Sequence, residues 1–62
     1  MHYVIRNTDT GKYVARSGLK RSYTARYDEL RVYSSREAAE ADRCPGNEVI
    51  EPIVRPEILA RP

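Results

Sequence analysis

Leu30-Arg31-Val32-Tyr33-Ser34-Ser35-Arg36-Glu37-Ala38-Ala39-Glu40-Ala41 is where the chain changes its hydrophobic period, and that change decides the fold. Leu30 to Tyr33 alternates apolar with mixed residues, which is the period of a strand, with Leu30 and Val32 turned to the core. Ser34 and Glu37 then stand at capping-box spacing. The Ser34 hydroxyl is placed to accept from the Glu37 N–H, and the Glu37 carboxylate to accept from the Ser34 N–H. Glu37 also suits the positive end of a helix dipole. Ala38, Ala39 and Ala41 give the helix a small-residue face that can approach a sheet closely. Pro45 biases Cys44 away from helical backbone, so the helix should end at Cys44-Pro45-Gly46-Asn47 after about nine or ten residues. A helix that short needs tertiary packing to persist.

Upstream, His2 to Arg6 and Lys12 to Arg16 are rich in β-branched and aromatic residues and read as a hairpin. Asn7-Thr8-Asp9-Thr10-Gly11 is the turn, with Asp9 suited to bond the backbone ahead and Gly11 to take positive φ. Tyr3 and Ile5 share one face and Val4 takes the other. Ser22 to Ala25 has the composition of a short third strand, and Tyr27-Asp28-Glu29 that of a turn. Downstream, Glu48 to Val54 reads as a last strand. Pro52 cannot donate to a ladder, so this strand is an edge or is bulged. The expected order is β-β-(β)-β-α-β: an α+β domain with an antiparallel sheet of about four strands and one helix packed on one face. Residues 1–62 make one domain, with 55–62 a flexible or docking tail.

Sixty-two residues bury only about 60% of their unfolded surface, which leaves a thin stability margin. A small core with open sheet edges leaves room for a homodimer or a host-protein partner. One Cys excludes an internal disulfide, and one His excludes most catalytic triads and His-based metal sites. No apolar run approaches the roughly 20 residues of a membrane span, and His2, Arg6 and Asp9 interrupt any signal-peptide core. The expectation is a cytoplasmic protein that uses no cofactor or metal and is not an enzyme. Cys44 reads as a small buried residue at a helix end.

The net charge of +2 conceals a division. Residues 1–36 hold eight cations and three anions, and residues 37–62 hold three cations and six anions. Arg16, Arg21, Arg26, Tyr27 and Arg31 are the candidates for a basic face, and Glu37, Glu40 and Asp42 for an acidic one. Cations interleaved with tyrosines suit phosphates and unpaired bases, which makes nucleic-acid binding the alternative function. A module that docks on a charged protein surface has the same composition, and the modest net charge favours it.

Tyr3-Val4-Ile5-Arg6, Thr10-Gly11-Lys12-Tyr13-Val14 and Ser35-Arg36-Glu37-Ala38-Ala39-Glu40 together resemble a loose class of small phage and prophage accessory proteins. Their pattern is a hairpin, a strand, a serine-initiated helix and a final strand, and the resemblance spans about residues 2–54. It implies a non-enzymatic inhibitor, of anti-CRISPR or anti-defence type, that binds a host protein or ribonucleoprotein complex in a bacterial cytoplasm. It carries over no functional residues.

Overall fold

A computed structural model describes residues 2–53. The strand expected through Val54 is seen to Ile53, and the tail expected at 55–62 lies outside the described residues. Four strands, β1 (His2–Asn7), β2 (Tyr13–Val14), β3 (Tyr23–Thr24) and β4 (Glu48–Ile53), form one antiparallel sheet in the order β3-β2-β1-β4. One helix, α1 (Arg36–Asp42), packs against β1 and β4. The α+β architecture expected from the hydrophobic pattern is the one observed.

The sheet has a small core on each face, divided by the period-two alternation of β1. Ile5 packs with Tyr33 and Ala39 on the helix side, joined by Tyr3, Val14 and Ile50. Val4 packs with Leu30 on the other side, joined by Tyr13, Val32 and Ile53. The β1–β4 ladder pairs Val4 with Glu51 and Ile5 with Ile50, so alternate residues of β4 follow the same division. The hairpin turn is pinned by Asn7 rather than Asp9. Buried Asn7 accepts from the backbone N–H groups of Asp9 and Thr10 through its Oδ1, and Gly11 takes φ +77° there.

Three local expectations are corrected. The N-cap is Ser35, not Ser34: the Ser35 hydroxyl accepts from the Ala38 N–H at 3.1 Å. The residue three positions after this cap is Ala38, so no capping box can close. The helix runs seven residues rather than nine or ten, and it ends at Asp42 because Arg43 is already extended at ψ 137°. Leu30 to Tyr33 is not a strand. It makes two single bridges, Ala15↔Leu30 and Tyr3↔Tyr33, both antiparallel. β1 and β2 run in opposite directions, so no straight segment can be antiparallel to both. The chain must turn between the two bridges, and the turn prevents a ladder. Leu30 and Val32 still face a core, as their alternation implied, and Tyr33 is buried in the core on the other face.

Candidate functional site

The sequence divides charge into a basic half and an acidic half, and the fold partly sews the two together. Arg31 lies 3.6 Å from Asp42, so one expected basic residue pairs with one expected acidic residue. The Arg31 guanidinium also sits over the Tyr33 ring at 5.5 Å, and the Tyr33 hydroxyl donates to Asp42 at 2.6 Å. Burial first, then Asp42, pushes the Tyr33 hydroxyl far above the ordinary tyrosine range. Glu40, in the last turn of α1, pairs at 3.1 Å with Arg43, the residue that ends it. Glu37 is exposed in the first turn of α1, and among the described residues it has no cation partner.

The remaining candidates gather around β3 and the 3-10 turn at Tyr27–Glu29. Glu29 is the hub: the Thr24 hydroxyl donates to it at 2.7 Å, and Arg21 and Arg26 lie 4.0 and 3.7 Å away. Arg26 also meets Asp28 at 3.4 Å, and its pKa is raised by the hydrogen bond to that carboxylate. These arginines are exposed and their ion pairs are long, so each retains most of its capacity to meet a partner. Arg16 is exposed, and among the described residues no carboxylate pairs with it. The connection from Arg16 to Arg21 therefore presents Arg16, Lys20 and Arg21 with no acidic residue between them.

The tyrosines do not form a free aromatic platform. Tyr33 is buried, Tyr23 donates its hydroxyl to Glu48, and Tyr13 donates to Glu51 at 3.3 Å. Tyr3 lies beneath the Arg36 guanidinium at 5.3 Å. Tyr27, at 58% exposure, is the one tyrosine that stands clear of the surface.

Two carboxylates matter more than their sequence context suggests. Glu48 is buried at 3% exposure and accepts from the Tyr23 hydroxyl and, at 2.8 Å, from the Cys44 N–H. That hydrogen bond raises the Tyr23 pKa. Glu51 accepts from Arg6 Nε at 2.6 Å as well as from Tyr13. Its carboxylate raises the Arg6 pKa, while burial is the larger cause of the raised Tyr13 pKa. Glu48 was legible in principle: it is two residues before Ile50 and so shares the helix-side face of β4. Glu29 left no such signal, since it lies in an irregular turn. Cys44 is exposed, contrary to its expected burial: the helix stops two residues before it, and Pro45 and Gly46 carry the chain out into solvent.

Among the described residues, no three His, Cys, Asp or Glu side chains gather to hold a metal ion. Among the described residues, no helix is long and apolar enough to cross a membrane. No protein-family model, curated protein or solved structure matches this chain.

Proposed function

We propose that this chain is a non-enzymatic protein-binding module that blocks its partner sterically, with an acidic protein surface as the target. The observation that carries this reading is the exposed cationic stretch Arg16–Arg21 beside Arg26 and the exposed Tyr27. Arginine with a single exposed tyrosine is the composition of an interface anchor. Nucleic-acid binding through stacked bases calls for several free aromatic faces, whereas the other tyrosines are engaged within the fold. Resemblance to phage accessory proteins supplies the finer reading: an anti-CRISPR-like inhibitor of a bacterial defence or nucleic-acid-handling complex, acting in the host cytoplasm. Glu37 and Glu40 lie on α1 and provide a second, acidic contact.

The test is affinity capture from a bacterial lysate with the full chain as bait, followed by reconstitution with the purified partner. A stoichiometric protein partner is expected, and its binding should fall with Arg16→Glu, Arg21→Glu and Tyr27→Ala while circular dichroism stays unchanged. Failure to recover such a partner, together with steeply salt-dependent binding to DNA or RNA, would overturn the reading in favour of nucleic acid.

A further inference from the structure

Among the described residues no strand pairs with the outer edge of β4, and that edge carries an inference independent of the proposed partner. Tyr3 exchanges both backbone hydrogen bonds with Tyr33, and the Asn7 N–H donates to Lys12. The odd-numbered residues of β1 thus point their backbone groups away from β4, and the even-numbered ones point toward it. By the observed register, Val49, Glu51 and Ile53 are the β4 residues bonded to β1. Glu48, Ile50 and Pro52 point their backbone groups to the open edge.

Those outward groups form an uneven row. Glu48 offers its N–H, but its carbonyl is already occupied by Arg43 Nη1 at 2.9 Å. Among the described residues nothing outside the β1–β4 ladder bonds the Ile50 N–H or C=O, so it offers both. Pro52 offers a carbonyl and has no N–H. Laid antiparallel on itself about Ile50, this row is its own complement. The Ile50 groups of two copies exchange two bonds, and each Glu48 N–H meets the Pro52 carbonyl of the other copy. Each missing Pro52 donor falls opposite the Glu48 carbonyl that Arg43 has filled. An unrelated strand would have to reproduce both silent positions at the same spacing.

We infer that β4 pairs with β4 of a second copy of this chain across a two-fold axis at Ile50, which makes one continuous eight-stranded sheet. Such a contact is isologous, as a two-fold axis requires. It sets Ile50 against its counterpart on the helix side. On the other side it sets Val49 opposite Glu51 of the second copy, and Val49 is an exposed large apolar residue of the described surface at 37%. Glu51 is held by Arg6 of its own chain, which lowers the cost of covering its charge but leaves a carboxylate beside Val49 of the second copy. A proline on an edge usually discourages pairing. Here its nitrogen lies where the self-paired register needs no donor.

Sedimentation velocity of the full chain over a concentration series tests this, with the exchange rate of the Ile50 amide as a second readout. A concentration-dependent dimer is expected, with Ile50 exchange slowing as the dimer forms. Val49 is exposed, so its substitution spares the core. Val49→Glu places like charges opposite each other twice across the axis and should raise the dimer dissociation constant about ten-fold or more. Val49→Lys brings a cation to Glu51 of the second copy but also faces Arg6 of its own chain across the β1–β4 ladder, so it should weaken the dimer less than Val49→Glu does. A chain that stays monomeric up to millimolar concentration overturns the inference. So does a dimer indifferent to both Val49 variants, or one in which Ile50 exchange does not slow.

Discussion

The two faces of the sheet solve the same problem with different means. Each has a small apolar cluster and a carboxylate from β4 that accepts from a tyrosine reaching across the sheet from β2 or β3. On the helix side the carboxylate is Glu48, buried and held by neutral donors, the Tyr23 hydroxyl and the Cys44 N–H. Arg43 lies close but bonds the Glu48 backbone carbonyl rather than the carboxylate. On the other side it is Glu51, half-exposed and paired with Arg6. The difference follows from what covers each face. A helix with Ala39 fully buried against the sheet seals its side and excludes water, so a carboxylate there must be met by fixed donors. The irregular segment around Leu30 buries Val4 and Leu30 but leaves Glu51 half-exposed, where a hydrated arginine can reach it.

If the helix side is the better sealed, its central residue should be the more costly to truncate. Ile5→Ala removes a side chain with no solvent exposure and should cost about 2–5 kcal/mol. Val4→Ala on the opposite face removes about two methylenes' worth of burial, about 1.6 kcal/mol. Domains of this length have roughly 3–9 kcal/mol in total, at about 0.05–0.15 kcal/mol per residue. Urea titration followed by circular dichroism should therefore find Ile5→Ala largely unfolded or close to it and Val4→Ala folded. Equal losses per side-chain carbon removed would show that the two faces are equally sealed.

The carboxylates should separate in the same way. Glu48→Ala strands the Cys44 N–H and the Tyr23 hydroxyl and should destabilise by about 1–3 kcal/mol for each donor left dry. Glu48→Gln keeps an acceptor oxygen and should recover part of that loss. Glu51→Gln leaves Arg6 and Tyr13 within reach of water, so its loss should be smaller than that of Glu48→Ala. A larger effect at Glu51, measured by thermal unfolding at constant pH, would reverse the comparison.

Alkaline pH probes the helix side again. Burial and the Asp42 carboxylate hold the Tyr33 hydroxyl above its ordinary value. Above the unfolded-state value of about 10, the folded chain retains a proton that the unfolded chain has lost. The stability from this group is complete below about pH 10 and declines as pH rises beyond it. Tyr13 and Tyr23, raised in the same direction, add to the decline. Tyr33→Phe should cost about 1 kcal/mol near neutral pH through the lost bond to Asp42 and should flatten the alkaline slope. An unchanged slope in the Tyr33→Phe chain would assign the alkaline loss to other groups.

Much of this fold was legible because its signals are local. Alternation in His2–Arg6 sorts Tyr3 and Ile5 from Val4, and it did so correctly. Pro52 implied a strand that is an edge or is bulged, and among the described strands β4 is an edge. What escaped was geometry that depends on distant partners. The alternation of Leu30–Tyr33 gives the right faces but cannot reveal that two antiparallel neighbours run in opposite directions. Of the expected binding residues, Arg21 and Arg26 do converge, but on Glu29, an acid that only the 3-10 turn brings to β3. The Arg31–Asp42 pair crosses between the two charge halves for a similar reason: the turn after Leu30 carries Arg31 toward the end of α1.

Adjacent serines at the helix start give the finest test of the helix side. Both have the chemistry of a cap, and a glutamate three residues after Ser34 favoured that serine on paper. Backbone direction decides otherwise: Tyr33 is fixed by its bridge to Tyr3 and by its buried ring, and the chain still needs Ser34 to turn away from the sheet. Ser35 is the first residue from which a helix can start over Ile5, and it carries extended backbone at φ −147° with its hydroxyl on the Ala38 N–H. Ser35→Ala should cost about 1 kcal/mol, within the roughly 0.5–2 kcal/mol range for N-caps. Ser34→Ala, at an exposed position, should stay within about 0.5 kcal/mol of the parent. Ser35→Asp should restore most of the loss, because aspartate accepts at the same position and favours the helix N-terminus. If Ser34→Ala proved the costlier change, the helix in solution would begin one residue earlier, and the seal over Ile5 would have to be redrawn with it.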